Sequence, residues 1–312
     1  MLATHWTAEA EHGGFYQALA DGLYEERGLN VTILPGGPMV NHRMKLAVGS
    51  VDFLIGSNLI QAFDALKAGV PSVVVAAFFQ KDVHCLISHP GQGNDSWEDL
   101  KSAKLLIGNA GRQTYFRWLK AVHGFSEERV RPYTYTLAPF LIDKRCVQQG
   151  YLTAEPWAIA QAIGGPPNVF ALSDHGWSTY STLLETRQEL VSRRPEVVQK
   201  FVEASVLGWV RYLYGDPSGA HRLIQRDNPE MEDALLNFSR GELIRRGVVD
   251  SGDALTDGIG ALRSERVVGF YADMVQCGLY KQGQIEPEAA FTARFVNRGI
   301  GLDEKRRLST PK

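Results

Sequence analysis

The chain has 312 residues, 44% of them hydrophobic and 22% charged, which is enough apolar material for a large core that should divide into two domains or lobes. A net charge of -2 and a pI near 6.5 give no electrostatic reason to expect a nucleic acid or a membrane surface as partner. The three cysteines, Cys85, Cys146 and Cys277, stand far apart with no CxxC or Cys/His cluster, so neither a disulfide framework nor a structural zinc site is indicated, although one pair could still form.

No apolar run reaches the roughly 18 to 20 residues of a membrane span. The nearest, 70–79, has strand length. No signal peptide is recognisable, and the chain begins almost inside its first strand. A cytoplasmic protein with a short N-terminus and a chain whose export signal has been removed both stay open.

Residues 1–3 lead into His5-Trp6-Thr7-Ala8-Glu9-Ala10-Glu11-His12-Gly13-Gly14, a loop with an aromatic, two carboxylates and two histidines. Phe15, Leu19 and Leu23, with Gly28 behind them, predict an amphipathic helix closed by a glycine cap, and 29–34 alternates as a strand. This is a βαβ opening, in which ligands bind where strand carboxyl ends meet helix N-termini. A second helix is expected over 42–48 and a buried strand over 51–56, with Ser57-Asn58 capping a helix over 59–68. The β-branched run 73–79 belongs in the middle of a sheet covered on both faces.

The pattern then restarts, with strands at 85–88 and 104–108, a capped turn at 96–100, a polar stretch 109–114 and a helix over 115–122. Residues 149–157, with Glu155-Pro156-Trp157, precede a strand at 169–172, a polar and aromatic loop 173–180 and a return strand at 183–186. From Arg194-Pro195 to about Gly278 the chain reads as helical, without repeats or low-complexity tracts. The expected fold is α/β: residues 1–80 plus 187–312 as one lobe and 81–186 as an inserted second, with a ligand cleft between lobes.

Trp6 with His12-Gly13-Gly14-Phe15-Tyr16, then Gly28-Leu29, Val48-Gly49 with Asp52-Phe53, Ala68-Gly69 with Pro71, Gln149-Gly150-Tyr151-Leu152-Thr153 with Glu155-Pro156, and Asp174, Gly176 and Tyr180 resemble the thiamine-pyrimidine-precursor and sulfonate, nitrate and taurine binders among type II periplasmic binding proteins. The resemblance covers nearly the whole chain. It implies that each lobe is a mixed sheet flanked by helices, and that the chain is the solute-binding component of an ABC importer, with a membrane permease as partner, a periplasmic location and a monomeric state. One relative, the fungal pyrimidine synthase, has this fold, uses iron and consumes an active-site histidine together with pyridoxal phosphate, and it carries a cysteine-rich run. The corresponding loop here, Gly108-Asn109-Ala110-Gly111-Arg112, has no cysteine.

Each candidate ligand residue has a plain alternative. Trp6 is a core residue or a stacking platform for a flat heterocycle, and Trp177 and Tyr180 would face it from the opposite lobe. Glu9 and Glu155, the latter with Pro156 and Trp157 behind it, are solvated loop charges or acceptors for amino and ring N–H groups. His12 faces a helix N-terminus or contacts ligand, and no metal-ligand partners at suitable spacing are seen for it. Ser57 and Asn58 are helix caps that could also line a site; Asn109, Arg112 and Thr114 form the analogous cap in the second lobe, where Arg112 would suit an anion. Gln80 is a hinge or ligand residue, and His175 a surface or ligand one. No nucleophile elbow, P-loop, His-Glu-x-x-His or dinucleotide fingerprint occurs in proper context, so no catalytic residue, cofactor or metal is expected. The preferred ligand is a small planar N-heterocycle such as a pyrimidine thiamine precursor; the alternatives are a small organic anion held by Arg112, or a synthase activity.

Overall fold

The chain's apolar runs build two five-stranded sheets in the structure, a computed structural model describing residues 1–38 and 40–309. In chain order the strands are β1 (Leu2–Thr4), β2 (Ile33–Leu34), β3 (Phe53–Asn58), β4 (Ser72–Phe79), β5 (His84–Ser88), β6 (Lys104–Ile107), β7 (Val130–Pro132), β8 (Cys146–Tyr151), β9 (Asn168–Ala171) and β10 (Ser181–Arg187). The helices that bear on the argument are α1 (Gly13–Ala20), α2 (His42–Ala47), α3 (Leu59–Lys67), α4 (Asn109–Gln113), α5 (Tyr115–His123), α6 (Ala138–Ile142), α7 (Glu155–Ile163), α8 (Gln188–Arg193) and α9 (Pro195–Tyr214). Among the described residues, no helix is long and apolar enough to cross a membrane.

The chain divides into two units, one of Met1–Lys81, Thr179–Gly269 and Ile285–Lys312, the other of Asp82–Ser178 and Phe270–Gln284. The first crossing lies one residue from the expected 80/81 boundary. The return comes at 178/179 rather than 186/187, because β10 is a member of the first sheet, paired antiparallel to both β3 and β4. The C-terminal part is also not confined to the first unit, since 270–284 belong to the second.

The first sheet has the order β2-β1-β3-β10-β4, with β1 parallel to β2 and β3. β4 therefore ends the sheet instead of occupying its middle, as its apolar run suggested. All eight of its residues are nevertheless buried. Its outer edge is covered by bridges from Val74 to Phe291 and from Ala77 to Gly260, which solve the exposed-edge problem without another strand.

The helix expected across 15–23 stops at Ala20, and Gly22 turns the chain at φ 71°. Gly28, at φ 73°, closes a separate 3-10 turn at Glu25–Arg27, so the predicted glycine cap serves a different element. α1 packs on α9 through glycine. A Cβ at Gly14 would lie 2.1 Å from the Trp209 ring, one at Gly13 2.2 Å from the Tyr212 ring, and one at Gly208 2.2 Å from the Gly14 carbonyl oxygen. Around this contact Phe15 meets Phe78 at 4.8 Å and Trp209 at 5.9 Å, both edge to face.

The second sheet, β7-β6-β8-β5-β9, is also mixed: β6 runs parallel to β7 and β8, while β5 is antiparallel to β8 and β9. One face buries Cys85, Ile87, Leu106, Phe140, Cys146 and Ile159, bringing α6 and α7 onto the sheet. All three cysteines are free thiols.

Candidate functional site

Strand register sets the first unit's site. Thr4 pairs with Ile55, so the loop after β1 and the Ser57-Asn58 step leave the sheet at the same edge, and β10 begins there because Ser181 faces Asn58. The loop is braced. Gly36 N–H donates to the Trp6 carbonyl at 2.9 Å, Asn228 Nδ2 to the Ala8 carbonyl at 2.8 Å, and His12 N–H to the Glu9 carbonyl at 3.0 Å. Such bracing holds side chains in one geometry before any ligand arrives.

Trp6 is half-buried, while Glu9 and His12 are buried. His12 has no exposed surface, and neither of its ring nitrogens makes a hydrogen bond of normal geometry. Burial holds the His12 imidazole well below its usual pKa; the neighbouring His5 adds to this, and the Thr7 backbone opposes it more weakly. Asn58 caps α3 by accepting from the Gln61 N–H at 3.4 Å, and Thr179 Oγ1 takes the Leu59 N–H at 3.2 Å. Two of the first amides of α3 are thus already satisfied. Beside Asn58, the buried Ser181 Oγ has no hydrogen-bond partner, and Thr182 is held at φ 48°, strained for a β-branched residue.

The second unit gathers polar groups where β6 ends. Gln149 Oε1 accepts from the Gly108 N–H at 2.6 Å and from the Tyr115 hydroxyl at 2.9 Å. Tyr135, exposed and at φ 60°, places its hydroxyl 3.1 Å from where a Cβ at Gly108 would be. Glu155 accepts from the Tyr151 N–H at 2.7 Å and from the Tyr133 hydroxyl at 3.3 Å. Trp157, half-buried, follows it in the first turn of α7.

Burial raises the Glu155 carboxyl pKa, and the Tyr151 N–H only partly offsets this. The native state then binds the proton more tightly than the unfolded chain. Stability from this group is fully present below the ordinary value of 4.5 and is lost as pH rises through the raised one. Wild type is expected to lose stability relative to Glu155→Gln as pH climbs from 4.5 towards neutrality, as read by urea unfolding in a buffer series. Parallel curves for the two proteins would contradict this.

Several expected ligand residues are engaged otherwise. Trp177 is buried against Trp118 and Phe270, at ring distances of 5.2 and 5.4 Å, and is a core residue of the second unit. Tyr180 lies in the first unit, not the second. It is fully buried, its hydroxyl donates to Asp253 at 2.6 Å, and the Arg266 guanidinium covers its ring at 3.9 Å. Neither side chain is therefore a free stacking face. The Gln80 amide donates to the Ala77 and Ala261 carbonyls at 3.1 and 3.0 Å.

Asn109 is the first residue of α4 rather than its cap, which is Gly108; Thr114 turns its hydroxyl back onto the Ala110 carbonyl at 2.8 Å. Arg112 is exposed and bound to Glu127 at 2.5 Å, beside Lys120, so it is part of a surface ion-pair group. His175 stacks on Trp97 at 3.7 Å. A surface hollow of about 550 Å³ in the second unit, lined by His89, Leu141, Lys144, Ile163 and other residues, includes none of these candidates.

Residues 9–220, well over half of the chain, match the family described as NMT1/THI5 like. The chain belongs to the NMT1/THI5-like family. Among curated proteins, none matches the sequence. Solved structures with a similar fold include the periplasmic aliphatic sulphonate binding protein SsuA of Escherichia coli (TM-score 0.65, 13% identity, covering 93% of this chain and 90% of that one). Others are the alkanesulfonate-binding protein SsuA of Xanthomonas axonopodis pv. citri bound to MOPS (0.64, 13%, 93% and 96%) and the desulfurization enzyme DSZB (0.58, 13%, 98% and 99%). At these identities the likeness shows the fold alone, a periplasmic-binding-protein fold of two mixed sheets flanked by helices.

The same fold thus carries both binders and an enzyme, and the site must decide. The iron expected of the NMT1/THI5-like fungal synthase does not fit the loop at Gly108. That loop offers no sulfur, its Gly108 N–H is held by Gln149, and Arg112 is paired with Glu127.

Sequence reasoning missed His5, Ser181, Thr182, Tyr135 and Gln149. The expectation that His12 has no metal-ligand partners at suitable spacing is corrected: His5-x3-Glu9-x2-His12 brings one ligating atom from each within 4.8 Å of the others, because a 3-10 turn follows β1. The other residues depend on pairing and backbone strain that no local pattern signals.

Proposed function

We propose that this chain is the solute-binding component of an ABC importer, acting as a monomer outside the cytoplasm with a membrane permease. It captures a small planar N-heterocycle, such as a pyrimidine precursor of thiamine, and releases it unchanged. The observation that carries this reading is the carboxyl edge of the first sheet. There a half-buried aromatic, Trp6, stands in one braced loop with the Glu9 carboxylate and a buried imidazole, His12, whose nitrogens make no hydrogen bond of normal geometry. An aromatic face suits a flat ring, and carboxylate and imidazole match amino and ring-nitrogen groups. A strained Thr182 and the unmet Ser181 hydroxyl mark the same edge.

A small organic sulfonate is the second reading, favoured by the two SsuA proteins among the similar folds. Against it, the 5–12 loop carries no Lys or Arg, Arg43 and Arg112 are bound to Glu185 and Glu127, and the Leu59 and Gln61 amides of α3 are capped.

A thermal-shift panel of 4-aminopyrimidines, flavins, alkanesulfonates, taurine and nitrate separates the two readings. A ligand at a hundred times its Kd adds about 2.7 kcal/mol of apparent stability. We expect the aminopyrimidine to raise the melting temperature, Trp6→Ala to abolish the shift, and Arg112→Ala to leave it intact. A response to alkanesulfonate alone, lost in Arg112→Ala, would establish the second reading, and no response to any compound would overturn both.

A further inference from the structure

We propose that His5, Glu9 and His12 form a binding site for a divalent first-row transition metal ion. One ligating atom from each, two imidazole nitrogens and a carboxylate oxygen, lie within 4.8 Å of one another. The local backbone brings this about. β1 ends at Thr4 and delivers His5 to the sheet edge, while a 3-10 turn over Ala10–His12, with Glu9 as its N-cap, puts Glu9 and His12 three residues apart. The His12 N–H donates to the Glu9 carbonyl at 3.0 Å, which closes the turn and brings position 12 back beside position 9.

The His5 and His12 rings stand edge to face, with centroids 5.4 Å apart and planes at 81°, an arrangement in which one ion can meet both in-plane lone pairs. His12 supplies the second observation. It has no exposed surface, and neither of its ring nitrogens makes a hydrogen bond of normal geometry, an expensive state for a buried polar ring unless something else satisfies it. Two imidazoles and a carboxylate make a donor set of borderline hardness that favours Zn2+ and its neighbours over Mg2+ or Ca2+. Three protein ligands also leave a coordination position open, as at zinc centres that take an exogenous ligand. Metal bonds of about 2.1 Å require donors roughly 3 to 3.5 Å apart, so modest side-chain rotation completes the cage. The braced loop backbone would remain in place.

Glu9 and His12 are also the groups that the proposed function offers to the solute, so the metal titration is run without any solute, and its failure would leave that reading standing. The test is calorimetric titration of Zn2+ into the full chain after chelator treatment, with Co2+ as a spectroscopic probe of coordination. One Zn2+ per chain is expected, with an affinity that falls more than about 100-fold in Glu9→Gln, beyond what loss of an outer-shell partner costs. His12→Gln should do the same, but that residue is buried. His5→Gln, at a half-buried position, gives a variant whose fold can be checked by circular dichroism and whose binding should fall equally. Absence of stoichiometric Zn2+ binding in wild type, or binding that all three variants retain, would overturn the proposal. The visible spectrum of bound Co2+ should also change in folded His5→Gln, whereas an unchanged spectrum places the ion elsewhere.

Discussion

Arg43→Ala is expected to lower unfolding stability by about 3–5 kcal/mol, the loss typical when one member of a buried ion pair is removed. Glu185 lies in β10, inside the first sheet, with its side chain 1% exposed, while Arg43 on α2 is 20% exposed. The pair is bidentate, with Nη2 to Oε1 at 2.6 Å and Nη1 on Oε2. Gly56 makes room for it, since a Cβ there would lie 2.1 Å from Glu185 Oε1.

Without the guanidinium, a carboxylate stays buried with its charge uncompensated, and that desolvation is most of the cost. The double variant Arg43→Met/Glu185→Leu should recover most of the loss, because apolar replacement removes the charge along with its partner. Urea unfolding of the three proteins checks this, and a cost under about 1 kcal/mol for Arg43→Ala, the range of an exposed pair, would contradict it. The pair also matters to the site: it ties α2 to the sheet one strand from Asn58 and removes Arg43 from any role with an anionic ligand.

Gly14→Ala and Gly208→Ala are expected to destabilise by about 1–3 kcal/mol each, the cost of overpacking a filled interface. Gly208→Ala should be the worse, because the new methyl meets the Gly14 carbonyl oxygen at 2.2 Å, and a backbone atom cannot rotate away. Gly241, in the helix Asp233–Arg245, is the control. A Cβ there meets nothing within 4 Å, so Gly241→Ala should stabilise by about 0.5–1 kcal/mol through chain entropy and helix propensity. Thermal unfolding reads all three, and equal effects would show that helix propensity alone was at work. Because α1 directly follows His12, displacing it from α9 should also disturb the loop from His5 to His12.

Features set by local chemistry were legible before folding. Asn58 as a cap followed from a side chain able to accept an amide two or three residues on, and it does so. The α/β class followed from strand and helix periods alternating along the chain, while the mixed sheets followed from the resemblance to the binding-protein family. What depends on distant pairing was not legible. The apolar run of β4 gave no sign that residues 181–187 would insert beside it, over a hundred residues later, and leave it at the end of the sheet. The same pairing moved Tyr180 into the first unit. Gly13-Gly14 does open α1, but the need for glycine there, set by Trp209 and Tyr212 packing against it from nearly two hundred residues away, was not legible. Arg112 had the chemistry of an anion ligand, and only its position beside Glu127 revealed the surface ion pair.

The central claim is that the loop from His5 to His12 holds a small solute and gives it back intact. Equilibrium dialysis of the protein against a 4-aminopyrimidine, followed by mass spectrometry of the compound recovered on unfolding, measures both halves at once. One molecule bound per chain and recovered at its original mass is the predicted result. Recovery of a compound of altered mass would contradict the account, as would retention of no compound from this or any other member of the ligand panel.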